Sequence, residues 1–256
     1  MAQKQGEMDN IKALASDIQK AQNIVAFTGA GISAESGIPT YRGEGGLWTK
    51  YDPSKYASIG YFMQNPLYYW NFFKDVRYPI LKKVKPNKAH LALYEMEKAW
   101  NLKTVVTQNI DGLHQEAGSS SVIELHGTTR TIICMDCSKK YTLEEAFAKL
   151  KKQIPPLCSK CEGILRPDVV FFGEMLDPQI LQEAYRAAGA CDFLLAVGSS
   201  LVVYPAADIP SRAKQAGAKL AIINKGSTPL DSVADYVIDD AAGKVLTQVL
   251  SLISKD

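Results

Sequence analysis

The sequence predicts an α/β protein: a doubly wound parallel sheet with a smaller lobe made of two insertions. Three observations lead there. Short apolar segments alternate with amphipathic helical ones at both ends of the chain, a glycine-rich turn follows the first strand, and two stretches interrupt the alternation. Runs such as Phe193 to Val197 are apolar throughout, as strands covered on both faces are.

Taken in order, Asp9 is expected to cap a helix whose apolar positions Ile11, Leu14, Ala15, Ile18 and Ala21 recur at helical spacing. A strand follows at Ile24 to Phe27, then the turn Thr28-Gly29-Ala30-Gly31. Further strands are predicted at Thr104 to Thr107, Val122 to Leu125, Phe193 to Val197, Leu220 to Ile223 and Tyr236 to Ile238. Helices over Pro178 to Ala188, Pro205 to Ala216 and Gly243 to Ile253 separate or follow the later strands. Residues 41–86 are helical in pattern and aromatic-rich, with Trp48, Tyr68, Tyr69, Trp70, Phe72 and Phe73, rings expected mostly to pack between lobes. Residues 128–167 carry Cys, Lys and Pro, with too little apolar content for a core of their own. The expected division is a sheet lobe of 1–40, 87–127 and 168–256, with 41–86 and 128–167 as the insertions.

Composition narrows the function. A chain of 256 residues, 46% apolar and 22% charged, buries a sizeable core and is not disordered. A net charge of +2 gives no support to nucleic-acid or anionic-membrane binding as the main activity. No secretory signal opens the chain, and no apolar run approaches the roughly 20 residues that span a bilayer. A cytoplasmic, soluble protein is expected.

Cys134-x-x-Cys137 and, beyond residues 138–157, Cys158-x-x-Cys161 each offer two thiolates from one tight turn. Two such turns facing each other complete a tetrahedral shell for one Zn²⁺, and four protein ligands leave no position for water, so the ion is structural. The competing account is four buried or redox-active cysteines. Cys191, alone before a strand, reads as a small buried residue.

Gly29-x-Gly31-x-x-Ala34 stands where a dinucleotide fingerprint belongs, with glycines for close approach to a pyrophosphate and free amides carrying partial positive charge. Alone it is equally a tight strand-to-helix turn. The following residues, Ser33 to Arg42, form turns rather than a long helix. No second strand ends in an acid about 20 residues on to grip the adenosine ribose, and Asn224, after Leu220 to Ile223, is the expected substitute. Of the three histidines, His90 and His114 are expected to be structural. His126 is the expected general base, because it follows a strand and Gly127 leaves space for a substrate.

Together these residues resemble the sirtuin family of NAD-dependent protein lysine deacylases, archaeal and bacterial members most. The resemblance rests on Gly29-Ala30-Gly31-Ile32-Ser33, Gly37-Ile38-Pro39, Arg42, Pro86-Asn87-x-Ala89-His90, Gln108-Asn109-Ile110-Asp111 and His126-Gly127. It continues through the cysteine quartet, Val169-Val170-Phe171-Phe172-Gly173-Glu174, Gly198-Ser199-Ser200 and Asn224. It implies a Rossmann-type lobe, a small zinc-ribbon and helical lobe, and a cleft that acyl-lysine peptide and NAD⁺ enter from opposite sides.

Carried over by position, the resemblance makes His126, Asn109 and Asp111 catalytic. It gives Gly29, Ala30, Gly31, Glu35, Tyr41 and Arg42 to the cofactor loop, and Gln108, Asn109, Ile110 and Asp111 to the ribose and nicotinamide. Gly198, Ser199, Ser200, Asn224, Lys225, Gly226 and Ala242 fall to the adenosine half, and Val169, Val170, Phe171, Phe172, Gly173 and Glu174 to the peptide by strand addition. In the reaction so implied, the acyl oxygen attacks C1′, nicotinamide leaves, and His126 serves as base on the ribose hydroxyls. NAD⁺ is consumed, giving lysine and 2′-O-acyl-ADP-ribose. Tyr41 stands where the family usually has Phe. Phe73 and Val76 occupy the places of a Tyr-x-x-Arg carboxylate clamp, so a neutral acyl group is expected despite Arg77. The implied protein is a monomer whose association with nucleic acid is at most indirect. Its alternatives are a mono-ADP-ribosyltransferase, an NAD-linked oxidoreductase, and a non-catalytic zinc-bearing module using the lysines near the cysteines.

Overall fold

A six-stranded parallel sheet organises the computed structural model, which describes residues 2–42 and 45–253. Residues 1, 43, 44 and 254–256 of the expected division lie outside the described residues. The sheet takes β1 (Ile24–Thr28), β2 (Leu102–Thr107) and β3 (Val122–Glu124) from the first half of the chain. The chain then builds a separate antiparallel sheet from β4 (Gly127–Cys134), β5 (Lys140–Thr142) and β6 (Leu165–Val169). It returns through β7 (Phe193–Val197), β8 (Lys219–Ile223) and β9 (Tyr236–Ile238), and the strand order is β3-β2-β1-β7-β8-β9.

Alternation along the strands explains why both faces are covered. Ile24 and Ala26 of β1 point with Leu195 of β7 towards the helices Ala2–Lys20, Lys88–Ala99 and Ala242–Ile253. Val25 and Phe27 face the other way with Leu194 and Ala196, against Pro178–Ala190 and Asp208–Gln215. Every residue of β1 and β7 is buried, which accounts for their unbroken apolar runs.

The first helix begins at Ala2, so Asp9 is not its cap. Gln3, Lys4, Gln5 and Glu7 are all helix-favouring, and nothing stops the helix from running on ahead of the apolar stripe. Inside the helix, Asp9 lies 3.6 Å from Lys12. The helix expected from Pro205 starts at Asp208, because residues 203–207 close a turn of their own, with Ala207 N–H donating to Val203 C=O at 2.8 Å.

The aromatic residues pack partly between the lobes, Phe62 and Tyr69 meeting the ring of Phe171 at 5.3 and 5.1 Å, and mostly on the second insertion. Trp70, Tyr69, Phe73 and Phe62 form one core with Ile132, Tyr141, Ala146, Leu150 and Leu165. The two insertions therefore bury their apolar groups against each other, which neither could do alone. Tyr78 stacks on Phe147 with ring centroids 3.5 Å apart, and Trp70 Nε1 donates to Leu165 C=O at 2.9 Å. Replacing Trp70 by Phe keeps a ring but leaves that buried carbonyl unpaired. The change should cost about 1–3 kcal/mol in urea unfolding; an unaltered midpoint would contradict the packing described.

Candidate active site

The chain leaves β1 towards β2 on one side and leaves β7 towards β8 on the other, so the sheet reverses its direction of growth between β1 and β7. Ligands of doubly wound sheets bind beyond the strand ends at such a point. A cleft of about 1170 Å³ opens there. Its floor is two turns pressed together: Gly29 N–H donates to Val197 C=O at 3.1 Å and Gly31 N–H to Gly198 C=O at 2.8 Å. A Cβ on Gly31 would lie 2.7 Å from Gly198 Cα, and one on Gly198, whose φ is 63°, would lie 2.2 Å from Ile32 N. These glycines are needed by each other before any ligand arrives.

After β1 the chain makes a 3₁₀ turn, Ala30–Ser36, closed by Gly37 at φ 90°. Asn87 fastens it. Its side chain caps Lys88–Ala99 by accepting from Ala89 N–H at 2.9 Å, and its Nδ2 donates to Ile32 C=O at 2.7 Å. Asn87 N–H donates to His90 Nδ1 at 3.3 Å, so neutral His90 carries its proton on Nε2, facing Ser33 Oγ at 3.5 Å. Ser33 in turn donates to Asp111 Oδ2 at 2.8 Å and accepts from Asn109 Nδ2 at 3.1 Å. Asn109 Nδ2 also donates to Gly29 C=O at 3.1 Å. A single connected network thus joins the glycine turn to the residues after β2.

His114 lies beneath this network, its ring 4.9 Å from that of His90. Thr28 Oγ1 donates its hydrogen to Thr107, so His114 Nε2 must donate to Thr28, 2.9 Å away. Burial lowers both imidazoles, His90 to about 4 and His114 to about 3. Both are packed as neutral structural groups.

His126 is held in a different way. Its Nδ1 donates to Gln108 C=O at 2.9 Å, since a carbonyl only accepts. Nε2 therefore bears the lone pair, has no protein partner among the described residues, and belongs to a side chain lining the cleft. Burial holds this imidazole below its ordinary value, and the bond to Gln108 opposes that shift. The adjacent Gly127 does not make room for a substrate. At φ 72° its Cβ would lie 2.1 Å from Asp168 C=O, so the glycine serves the pairing of β4 with β6.

The other sequence candidates fall as follows. Ala30, Tyr41, Arg42, Ile110, Ser199, Ser200, Lys225 and Ala242 line the cleft together with Gly29, Gly31, Gln108, Asn109, Gly198 and Asn224. Gln108 Nε2 donates to Ser199 Oγ at 2.8 Å. Glu35 lines the cleft too, but its Oε2 accepts from Gly243 N–H at 2.7 Å at the start of the last helix. Asp111 and Gly226 do not line it. Asp111 supports from behind through Ser33 and Leu113 N–H, and Gly226 shapes the loop after β8, where Asn224 Nδ2 donates to its carbonyl at 2.9 Å.

Residues 169–174 form the opposite wall. Val170 N–H donates to His126 C=O at 2.9 Å, Phe172 N–H to Ala57 C=O at 2.7 Å, and Phe172 C=O accepts from Ile59 N–H at 3.0 Å. Glu174 pairs in two-pronged fashion with Arg166, both contacts at 2.7 Å, and accepts from Phe171 N–H. Sequence reasoning missed Arg166, which no local pattern marks. Ser33 and Asn87 fall within motifs, but their bonding roles depend on partners distant in sequence.

The four cysteine Sγ atoms lie within 4.8 Å of one another, Cys134 to Cys161 at 3.5 Å and Cys137 to Cys158 at 3.7 Å. Tetrahedral zinc with Zn–S of about 2.3 Å needs sulfurs about 3.8 Å apart, so the quartet fits that ion. None of the four lines the cleft. Cys191 is buried, its thiol is pushed up to about 11 by burial, and it donates to Ala188 C=O.

A doubly wound sheet with its cleft at the switch point, flanked by a four-cysteine module, defines a dinucleotide-binding α/β protein with a metal ribbon. The chain belongs to the Sir2 family, whose model matches residues 29–205. It is 46% identical to "NAD-dependent protein deacylase 2" of Archaeoglobus fulgidus over 248 residues, covering 96% of this chain and 97% of that one. It is 47% identical to "NAD-dependent protein deacetylase 1" of Pyrobaculum aerophilum, covering 94% of each. Among solved structures it matches a Sir2–p53 peptide–NAD⁺ complex with a TM-score of 0.87 at 38% identity, over 94% of this chain and 97% of that one.

The buried histidines set a pH window for stability. An unfolded chain takes up protons below about pH 6.5, whereas native His90 and His114 do so only near 4 and 3. Stability should therefore fall as pH drops from about 6.5 to 4, by about 1.4 kcal/mol per pH unit for each unmatched proton. Urea midpoints at pH 7 and pH 5 check this, and equal values would refute neutral burial of the pair.

Proposed function

We propose that this chain is an NAD-dependent protein lysine deacylase that passes the acyl group to ADP-ribose and releases nicotinamide. The observation that carries the reading is His126, locked through Nδ1 with its basic Nε2 turned to a cleft at the switch point. The paired turns Gly29–Gly31 and Gly198–Ser200 suit a dinucleotide, as glycines without side chains let a pyrophosphate approach the backbone that lines the cleft beyond two adjacent strands. Bound NAD⁺ supplies the C1′ electrophile and the ribose hydroxyls that receive the acyl group.

In this reading His126 Nε2 removes a proton from a ribose hydroxyl. Asn109 and Asp111 keep the nicotinamide side in shape, Asn109 from the wall and Asp111 through Ser33. Gln108 serves twice, its carbonyl fixing the base and its amide reaching Ser199. Substrate peptide lies along 169–174 on the side away from Ala57 and Ile59, where the backbone of Phe171 is already bonded to Glu174. Met175 and Tyr204, 88% and 71% exposed at the mouth, suit an extended peptide with apolar side chains. The acyl group is neutral, acetyl or longer, a reading supported by Arg77 being directed at Tyr41. A zinc ion held by Cys134, Cys137, Cys158 and Cys161 supplies a structural cross-link. The proposed lobes, 1–40, 87–127 and 168–256 against 41–86 and 128–167, are supported by a core made mostly of the two insertions, with Phe171 the one buried member from 168–256. No helix among the described residues is long and apolar enough to cross a membrane.

Mass spectrometry of an acetyl-lysine peptide with and without NAD⁺ should find deacetylation and O-acetyl-ADP-ribose only with NAD⁺. ADP-ribosylated protein without deacylation would replace the reading with ADP-ribosyl transfer. His126→Ala should lower kcat/KM by about 10²- to 10⁴-fold while the protein stays folded. Because the neutral imidazole is the active form and burial lowers its pKa, wild-type kcat/KM should hold down to about pH 6.5 and fall only at lower pH. An acid limb centred above that value would remove His126 from the role of base.

A further inference from the structure

Residues 40–42, which include Tyr41 and Arg42, are bonded to residues 46–48. Leu47 N–H donates to Thr40 C=O at 2.8 Å and Trp48 N–H to Tyr41 C=O at 3.0 Å. The Tyr41 ring stacks on Trp48 with centroids 5.2 Å apart and planes 29° from parallel. The backbones approach closely, and a Cβ on Gly46 would lie within 2.9 Å of the Arg42 and Tyr41 backbone. What remains is how Tyr41 is held against the rest of the cleft.

A single wide helical turn, Phe73–Arg77, interrupts the helices Pro66–Phe72 and Tyr78–Leu81 with π-type bonding. Such a turn resets which side chains face which way. Phe73 is buried in the core shared by the insertions, while Arg77 lines the cleft. Arg77 Nη2 donates to the Tyr41 hydroxyl at 3.1 Å, and its guanidinium carbon lies 5.6 Å from the Tyr41 ring centre. The Tyr41 hydroxyl is its hydrogen-bond partner, while the Asp111 carboxylate and the Tyr69 hydroxyl act on its charge from further off. Phenylalanine at position 41 would have no atom with which to accept that bond.

We propose that Arg77 is a positioning residue which acts through the Tyr41 hydroxyl to hold Tyr41, and with it Trp48, in place at the cofactor side of the cleft. The proposal rests on the deacylase reading for its assay. A charge-assisted bond is stronger than a neutral one, and holding these rings in their ligand-binding position reduces the ordering that NAD⁺ must impose. Arg77 and Tyr41 then act as one unit.

The test compares Tyr41→Phe, Arg77→Gln, Arg77→Lys and the Tyr41→Phe/Arg77→Gln double variant. Each single loss should raise KM for NAD⁺ by about ten-fold with KM for an acetyl-lysine peptide changed less than about two-fold. The double variant should be no worse than either parent, because paired groups are non-additive. Arg77→Lys should recover part of the loss, and unfolding midpoints should show that all variants fold. Multiplying effects in the double variant would overturn the proposal. So would an Arg77→Gln defect confined to succinyl-lysine peptides with KM for NAD⁺ unchanged, which would give Arg77 to a substrate carboxylate. If the wild type turns over no acyl peptide, the deacylase reading falls by itself. The same variants titrated with NAD⁺ by tryptophan fluorescence still decide the role of Arg77.

Discussion

The contact on which the rest of the structure depends is the one between the turns that follow β1 and β7. Gly31 donates to Gly198 C=O at 2.8 Å, and side chains on either glycine would put a carbon where the other backbone already is. This approach places a doubled set of backbone groups where the six-stranded sheet reverses its direction of growth. The cleft, the 3₁₀ turn and the reach of Gln108 to Ser199 all follow from it.

Around that contact the polar groups are arranged so that proton positions are determined. A carbonyl facing His126 Nδ1, a backbone N–H facing His90 Nδ1, and the one hydrogen of Thr28 already given to Thr107 each leave one tautomer. Three imidazoles in one region thus acquire different characters. Two are sealed beneath the floor as neutral structural groups, and the third keeps an accessible lone pair. Burial lowers the pKa of all three, and only His126 lines the cleft.

The small antiparallel sheet ties the metal module to this chemistry. The pairing of β4 with β6 runs from Gly127 opposite Val169, beside His126, to Cys134 opposite Leu165. Leu165 C=O accepts from Trp70, so the helical insertion grips the same ladder from the side. A structural ion at the cysteines would fix one end of a pair of strands whose other end adjoins His126 and residues 169–174 of the cleft. The quartet therefore bears on the cleft mechanically without lining it.

The strands, the cysteine quartet and the place of His126 at the cleft were legible in the sequence because each is written in local pattern: apolar runs, two Cys-x-x-Cys turns, a polar cluster at a strand end. Asp9 misled because capping residues also occur inside helices whose neighbours favour helix. Local pattern could not reveal that Gly127 faces Asp168 rather than a substrate, or that Asp111 works through Ser33. Nor could it show that the aromatic insertion packs on the cysteine insertion, or that Arg77 reaches Tyr41. These are contacts between residues far apart in the chain, and only tertiary packing decides which distant groups meet. Sequence by itself determined the fold class and the chemical types present; the folded chain decided which glycine fits which backbone and which histidine faces the cleft, because those matches are made between residues far apart in the chain.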